Sequence, residues 1–511
     1  MTPLRRNTVA SIAGRATTVL LWVAVTPYVL DRLGAERFGI WALFFAFTSY
    51  LVSLDLGISS TMIRFISAER ASGDRGGLTR TLRRGLRLAL GLGVLWAVVV
   101  VLARGWIAKA FRVPEAMTPE TLEALLVFAV GVLLLFPTQV LTGSLQGFER
   151  LDLSNLCVVL GVAAQVIVLY LGLAAGGGLT GVAAAGVLAQ AVTGLLAAFM
   201  LWKQLRNVGP GEQSSGPSWR DLLHFGAALQ VTGFLVVLQF QLGKILLGLL
   251  GNLAMVADYE LAFRVASGVA GIPVLILGAV VPTVSRAWES EGPAAVTPIY
   301  TSTIRWLYTS GVMALGLLWL LAPDITRVWL GRGHDHIVPL IRLWAVAYAV
   351  QFVWSPGAAV ARGVGKPWIE VYSLAASALT NIVLGIWCVP RFGTAGAIAA
   401  LGASFGAGLI TFVATSRRSG IPFGPWISRE LLPRVVAGCL GVALCAGLFS
   451  SGPAVLRLPP PGWTHGAAIA VLFLVLFALF FAPFGDTQRL SRMLWHVTAA
   501  ALVRRRGSPA S

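Results

Sequence analysis

Residues 137–155 read PTQVLTGSLQGFERLDLSN, and residues 356–373 read PGAAVARGVGKPWIEVYS. In each segment an apolar run that contains proline ends in a short basic turn, and another apolar run begins after it. The segments start at positions 137 and 356, which are 219 residues apart. A second matching pair, GLTGVAAAG from Gly178 and FGTAGAIAA from Phe392, follows in the same order. These matches predict two parallel repeats of one helical unit.

Apolar runs long enough to cross a bilayer as helices, about 20 residues each, take up most of the 511-residue chain. Hydrophobic residues make up 57% and charged residues 12%, so a soluble globule would lack polar surface. We therefore predict an all-α polytopic membrane protein with about 14 transmembrane helices. The predicted spans are 8–30, 38–66, 84–104, 121–146, 153–174, 179–202, 221–249, 256–283, 302–322, 337–361, 369–389, 394–415, 431–450 and 463–483.

The repeat groups these spans into two pseudo-symmetric six-helix bundles followed by two additional helices. The linker between the bundles is rich in glycine, serine and proline and is too short to fold as a soluble domain. The predicted domains are an N-terminal bundle at 1–202, a cytoplasmic linker at 203–220, a C-terminal bundle at 221–418, two extra transmembrane helices at 431–483 and a basic cytoplasmic tail at 484–511.

The basic residues predict the orientation of the chain. With the N-terminus in the cytoplasm, 25 of the 39 Lys and Arg residues lie in cytoplasmic segments and 9 in external ones. Both termini are therefore expected in the cytoplasm. The net charge of +18 is dispersed among short gaps and not collected on one polar domain, which argues against nucleic-acid binding.

The sequence contains no recognisable catalytic constellation. There is no Gly-x-Ser-x-Gly elbow and no His-Glu-x-x-His, and the turn at Gly363–Lys366 lacks the leading glycine and following hydroxyl of a phosphate-binding loop. We therefore expect a transporter and not an enzyme, with no metal site and no cofactor. Without an ATP site, uphill transport would depend on an H⁺ or Na⁺ gradient or on the fate of the product.

Charged residues inside the predicted spans are candidates for functional roles, because each costs about 2.5 kcal/mol or more at mid-bilayer. Arg15 lies about 10 Å from the inner end of the first span, and Asp55 lies in the same inner third on the second. They are expected to meet, either as a structural ion pair or as part of a transport site. Asp55 and Arg64 are candidates for an ion-coupling or structural pair, although Arg64 can also snorkel to the interface.

Lys244 and Arg264 are two further intramembrane cations, placed about 8 Å and 12 Å below the outer ends of the seventh and eighth spans. Like charges at one depth repel unless water, an acidic residue or an anionic ligand lies between them. Two alternatives remain open: the cations contact an anionic substrate in a cavity, or they pair with Asp258 and Glu260 of the same hairpin.

The first half of the chain contains DRLGAERFGI at 31–40 and DLGISSTMIR at 55–64. The second half adds YELAFR at 259–264, Val281-Pro282 and GVGKP at 363–367. These segments resemble bacterial polysaccharide flippases of the Wzx type, which belong to the multidrug/oligosaccharidyl-lipid/polysaccharide (MOP) exporter superfamily. The likeness covers roughly residues 5–415 and implies a protein of the bacterial cytoplasmic (inner) membrane.

This resemblance implies two bundles around a central cavity and alternating access. The implied cargo is an undecaprenyl-pyrophosphate-linked oligosaccharide, carried from the cytoplasmic to the outer leaflet during exopolysaccharide or surface-polysaccharide synthesis. Arg15, Lys244 and Arg264 would supply cations for the pyrophosphate. Membrane lipids, a polysaccharide polymerase and export machinery are the expected partners. The alternatives are a cation-coupled drug antiporter of the MATE type, a lipid II flippase related to MurJ, or a membrane glycosyltransferase or polymer ligase.

Overall fold

A computed structural model describes residues 3–206 except 56 and 74, residues 219–419 except 275 and 276, the single residues 434, 436, 440, 442 and 443, and residues 463–481. Most of the predicted linker at 203–220, nearly all of the predicted span at 431–450 and the predicted tail at 484–511 lie outside the described residues.

The described part of the chain is helical and contains no strand. The helices are α1 (Pro3–Ser53), α2 (Ile58–Ser72), α3 (Arg75–Ala110), α4 (Thr118–Gly147), α5 (Leu151–Ala174), α6 (Gly178–Arg206), α7 (Trp219–Leu250), α8 (Leu253–Val274), α9 (Leu277–Glu291), α10 (Pro293–Leu330), α11 (Val338–Gly363), α12 (Trp368–Arg418) and α13 (Trp463–Phe481). Two 3₁₀ turns, Glu115–Met117 and Asp335–Ile337, precede α4 and α11.

Nine segments within the described residues are long and apolar enough to cross a membrane. Trp368–Arg418 contains two of the predicted spans, and Ala16–Ser53 overlaps two others, 8–30 and 38–66. The nine segments therefore account for eleven predicted spans. The prediction of an all-α polytopic membrane protein is confirmed.

Helix α1 is a helical hairpin and not one straight rod. Gly34 has φ 73° and ψ 168°, a conformation outside the helical region that glycine adopts readily. The ring centroids of Trp22 and Phe45 are 5.1 Å apart, although 23 residues of straight helix would separate them by about 34 Å. The chain therefore reverses direction at Gly34.

Helix α12 reverses in the same way around Gly393, which has φ 55° and ψ −133°. The hydroxyls of Ser377 and Ser404 are 3.1 Å apart, whereas 27 residues of straight helix would extend about 40 Å. Close to the turn, a Cβ added at Gly396 would overlap the carbonyl of Cys388, so the two arms approach with no room for a side chain. Both hairpins match pairs of adjacent predicted spans.

The prediction of one continuous span over 38–66 is wrong, because α1 ends at Ser53 and α2 begins at Ile58. The sequence Asp55-Leu-Gly57 explains the interruption. Gly57 has φ 69°, in the left-handed region, and the carboxylate of Asp55 binds backbone N–H groups that the break leaves without helical partners. The predicted span 256–283 is also divided, since α8 ends at Val274 and α9 begins at Leu277.

The order and spacing of the elements repeat along the chain. Helices α2 and α9 have 15 residues each and begin at positions 58 and 277, which are 219 apart. The two 3₁₀ turns begin at 115 and 335, which are 220 apart. The sequence repeat is therefore also a repeat of helix lengths and interruptions. The domain boundaries proposed from the sequence remain a prediction.

The structure divides into two compact units: Met1–Glu260 with Gly385–Ala397, and Leu261–Leu384 with Ile398–Ser511. In the first unit, Phe136 of α4 and Met62 of α2 belong to an apolar core that α3, α5 and α6 complete. In the second unit, Phe473 of α13 packs with Leu320 of α10. Glycines allow this close approach; a Cβ at Gly316 would lie 2.7 Å from the Phe473 ring.

Candidate functional site

The interruption between α1 and α2 places a buried carboxylate beside α7. Asp55 is 6% exposed; its Oδ1 accepts a hydrogen bond from the N–H of Gly57 at 2.7 Å, and its Oδ2 accepts one from the N–H of Ser59 at 3.4 Å. The side-chain amide of Gln230 donates to the carbonyl of Ser53 and also bonds Asp55. Asp55 therefore caps α2, while Gln230 ties the broken end of α1 to α7.

A buried ion pair links α7 to α8. The Nζ of Lys244 lies 2.5 Å from the Oε2 of Glu260, and the two side chains are only 2% and 5% exposed. The residues stand 7 and 9 positions from Gly251 in the turn between the helices, so the pair spans the hairpin at one level. Next to it, Tyr259 is fully buried against Gly243, where an added Cβ would lie 2.5 Å from the tyrosine oxygen.

The structure thus shows Lys244 paired with Glu260, which is the second of the two alternatives that the sequence left open. The ion pair occupies its ammonium group, and the contact of Lys244 with an anionic substrate remains a prediction. Arg264 lies one turn beyond Glu260 in α8, in the part of the helix that belongs to the second unit, and is half-buried. Its carbonyl accepts a hydrogen bond from the hydroxyl of Ser267 at 3.4 Å.

The remaining predicted site residues are less informative. Arg15 belongs to α1, but its side chain lies outside the described residues, so the expected contact with Asp55 remains a prediction. Arg64 is exposed on α2, and its guanidinium lies 5.4 Å from the ring of Phe65. The proposed partnership of Asp55 with Arg64 likewise remains a prediction.

The turn between α7 and α8 packs tightly against α1 and α3 within the first unit. An added Cβ at Gly39 would overlap the carbonyl of Leu253, and one at Gly248 would overlap the ring of Phe111. The hydroxyl of Thr394, at the tip of the α12 hairpin, donates to the carbonyl of Met255 at 3.3 Å. This end of the first unit is therefore closed by backbone and ring contacts.

A second polar contact on the same side of the first unit was not predicted. Arg37 Nε lies 2.8 Å from Glu120 Oε2, and Glu120 Oε1 accepts a hydrogen bond from the N–H of Leu179 at 2.8 Å. One carboxylate therefore joins α1, α4 and α6. Arg37 and Glu120 are 83 residues apart in the sequence, and no local pattern indicates their contact. Lys244 and Glu260 lie on either side of Gly251, and this position is a signal that could have identified their pairing.

The turn at 363–367 is held by contacts within the protein. Arg362 Nε lies 3.4 Å from Glu370 Oε2, and Lys366 Nζ donates to the carbonyl of Ser419 at 2.9 Å. Gly365 has φ 78°, which suits the reversal between α11 and α12. These contacts fit a structural turn. Among the described residues, no group of three or more His, Cys, Asp and Glu side chains is arranged to hold a metal ion.

Known proteins share this fold. An inward-facing MATE family multidrug resistance transporter of the MOP superfamily matches with a TM-score of 0.70 and 17% identity over 79% of this chain and 95% of its own. Lipid II flippase MurJ in an inward closed conformation matches with a TM-score of 0.69 and 11% identity over 94% and 99% of the two chains. At these identities the likeness shows the fold.

Sequence comparison is consistent with the fold. A probable multidrug resistance protein NorM of Caulobacter vibrioides is 22% identical in an alignment of 382 residues that covers 71% of this chain and 80% of that protein. The profile of a family described as polysaccharide biosynthesis protein matches residues 4–288. Family and fold are those of membrane transporters and flippases and not of enzymes. Because that profile covers more than half of the 511 residues, the chain belongs to the polysaccharide biosynthesis protein family and has the fold of the MOP superfamily.

Proposed function

We propose that the protein flips an undecaprenyl-pyrophosphate-linked oligosaccharide from the inner to the outer leaflet of the bacterial cytoplasmic membrane by alternating access. The observation that carries this proposal is the family match over residues 4–288, joined to a fold shared over 94% of the chain with a lipid II flippase. The family description names polysaccharide biosynthesis, and the solved structure is that of a lipid II flippase. The product would supply exopolysaccharide or surface polysaccharide through a polymerase and export machinery.

The charge distribution supports an anionic cargo. Arg15, Lys244 and Arg264 lie inside predicted spans, and a pyrophosphate headgroup crossing the membrane requires cationic groups along its route. We assign Arg15 and Arg264 to this role. Lys244 would contact the cargo only in a state in which Glu260 releases its ammonium, since the two are now paired at 2.5 Å.

The closed end of the first unit supports a gating role for the α7–α8 turn. With both termini in the cytoplasm, the turns at Gly34 and Gly251 face the outside. The contacts of Gly39 with Leu253 and of Gly248 with Phe111 would then seal the outer side. Export of a headgroup requires these contacts to separate, and the two glycines bring no side chain of their own into the contacts.

The decisive experiment uses purified full-length protein in liposomes that carry a labelled lipid-linked oligosaccharide in one leaflet. Wild-type protein is expected to expose the label to an enzyme or quencher on the opposite side. Arg264→Gln should reduce the rate at least about tenfold, the loss that follows from one charge-assisted hydrogen bond. Arg327→Gln is the matched control, because Arg327 lies at the exposed end of α10 and pairs with Asp335 at 3.3 Å.

The outcomes separate the function from the site. Normal flipping by Arg264→Gln would remove Arg264 from the route but leave the function standing. Failure of correctly folded wild-type protein to move any lipid-linked oligosaccharide, with or without an H⁺ or Na⁺ gradient, would overturn the function. Lipid II in parallel liposomes tests whether a peptidoglycan precursor is the better cargo.

A second candidate is a cation-coupled drug antiporter. The Caulobacter relative, described as a probable multidrug resistance protein, and the buried carboxylate of Asp55 favour it. Drug export driven by an H⁺ or Na⁺ gradient in the same liposomes, lost in Asp55→Asn, would support this candidate. Arg15, Lys244 and Arg264, which lie inside predicted spans, argue for an anionic cargo.

A further inference from the structure

A narrow apolar slot runs between α10 and α11 in the second unit. Its volume is about 350 Å³, within the range of small-molecule sites. The lining positions recur at helical spacing along one face of each helix, which makes the slot elongated. They are Tyr308, Gly311, Val312, Leu315, Gly316 and Trp319 on α10, and Ala345, Val346, Ala349 and Phe352 on α11, with Val442 and Ala443 completing the wall.

Arg342 stands at one end of this slot. Arg342 lies one turn before Ala345 on the same face of α11. Its Nε donates to the carbonyl of Trp319 at 3.1 Å, and its guanidinium lies 4.4 Å from the centre of the Trp319 ring. No ion pair joins Arg342 to an acidic side chain in the part of the chain that the structure describes. The contacts therefore hold the guanidinium against Trp319, which lines the end of the slot, while its other N–H groups stay available as donors.

The rest of the slot matches a hydrocarbon chain. Its lining is almost wholly apolar, and Val346, at 53% exposure, borders its open side. The opposite end holds Tyr308, a buried residue whose hydroxyl has no hydrogen-bond partner among the described residues. Thus the slot has the Arg342 guanidinium at one end, an apolar length and an exposed opening along α11.

We propose that this slot is a binding site for an anionic glycerophospholipid, with one acyl chain along α10 and α11 and the phosphodiester on Arg342. A guanidinium presents paired N–H groups that match the two non-bridging oxygens of one phosphate. One cation complements the single charge of a phosphodiester, whereas a pyrophosphate would bring a second charge with no partner at this end. The site would bind a membrane lipid whatever cargo the protein carries.

The proposal can be tested by native mass spectrometry of the purified full-length protein with added lipids. Palmitoyl-oleoyl phosphatidylglycerol is the probe, phosphatidylcholine the zwitterionic comparison and undecaprenyl pyrophosphate the competing source of phosphate. Phosphatidylglycerol should bind at least about tenfold more tightly than phosphatidylcholine. Arg342→Gln should remove that preference, and Arg342→Lys should retain part of it.

A second variant changes the apolar lining of the slot and leaves Arg342 in place. Ala349→Phe fills the exposed side of the lining and should weaken both phospholipids, while Arg327→Gln on the nearby surface should change neither. Thermal unfolding of each variant confirms that it is folded. Equal binding of the two phospholipids, phosphatidylglycerol binding that survives Arg342→Gln and Ala349→Phe, or a clear preference for undecaprenyl pyrophosphate would each overturn the proposal.

Discussion

The Lys244–Glu260 pair gives the sharpest prediction. At 2.5 Å, two unit charges attract by about 7 kcal/mol at an effective dielectric constant of 20. Desolvation of both ions offsets most of that attraction, because each loses several kcal/mol of hydration when it is buried. The pair therefore adds little net stability, yet loss of one partner leaves an uncompensated charge at a site only a few per cent exposed.

We expect Lys244→Met and Glu260→Gln each to destabilise the protein by about 3–5 kcal/mol. The double variant Lys244→Met/Glu260→Leu should recover most of that loss, since apolar groups of similar size replace both charges. The measurement is the free energy of unfolding in detergent, followed by SDS titration. The exposed pair Arg327–Asp335, at 3.3 Å, is the control, and its disruption should cost less than about 1 kcal/mol.

The same double variant separates stability from transport. If Lys244 acts only through Glu260, the folded double variant flips the lipid-linked cargo at a near-normal rate. If Lys244 also binds the headgroup, the variant is stable but inactive. Single variants as stable as the wild type would refute the reasoning, because they would show that the charges are not buried as the structure places them.

Three further predictions concern helix contacts. Asp55→Ala should lower the free energy of unfolding by about 0.5–2 kcal/mol because α2 loses its cap, measured by the same SDS titration; an unchanged value would contradict the capping role. Gly39→Ala should force the α7–α8 turn away from α1, so that a cysteine replacing Leu253 becomes more accessible to external thiol reagents; unchanged labelling would show that the contact is not tight. Asp324→Asn should weaken the 2.9 Å contact with His465 and destabilise the packing of α13 by about 1–3 kcal/mol. The variant should therefore be cleaved faster than the wild type in limited proteolysis, and cleavage at the wild-type rate would contradict the prediction.

The sequence was sufficient for the helices because hydropathy and span length are local properties. The predicted span 153–174 and the helix Leu151–Ala174 differ by two residues at one end. The break at Asp55 was missed for a physical reason: Leu54 and Leu56 keep the run apolar, and hydropathy does not register a backbone that turns left-handed at Gly57. The Asp-Leu-Gly sequence was visible, and a capping residue two positions before glycine is the signal that could have located the interruption.

The site was less predictable, because pairing depends on which faces of two helices meet. The positions of Lys244 and Arg264 within their spans predict that the two cations lie at one depth, where they would repel each other. The structure places Glu260, one helical turn before Arg264, against Lys244 instead. Residues 260 and 264 lie on nearly the same face of α8, so the sequence alone could not decide which of them meets α7.

The two repeats share a backbone but differ in chemistry. Aligned on the turn glycines Gly34 and Gly251, 217 residues apart, Lys244 corresponds to Pro27 and Glu260 to Leu43. By the 219-residue shift between α2 and α9, Asp55 corresponds to Val274, next to Pro273, so that a capping carboxylate interrupts one helix and a proline lies close to the end of the other. A repeated backbone requires turns and interruptions at matching positions, but it does not require matching charges. The repeated backbone therefore does not account for the buried charges of Lys244 and Glu260. The double variant Lys244→Met/Glu260→Leu replaces both charges with apolar side chains, as at the corresponding positions of the first hairpin. It tests whether the two charges are needed for transport or only stabilise the α7–α8 hairpin.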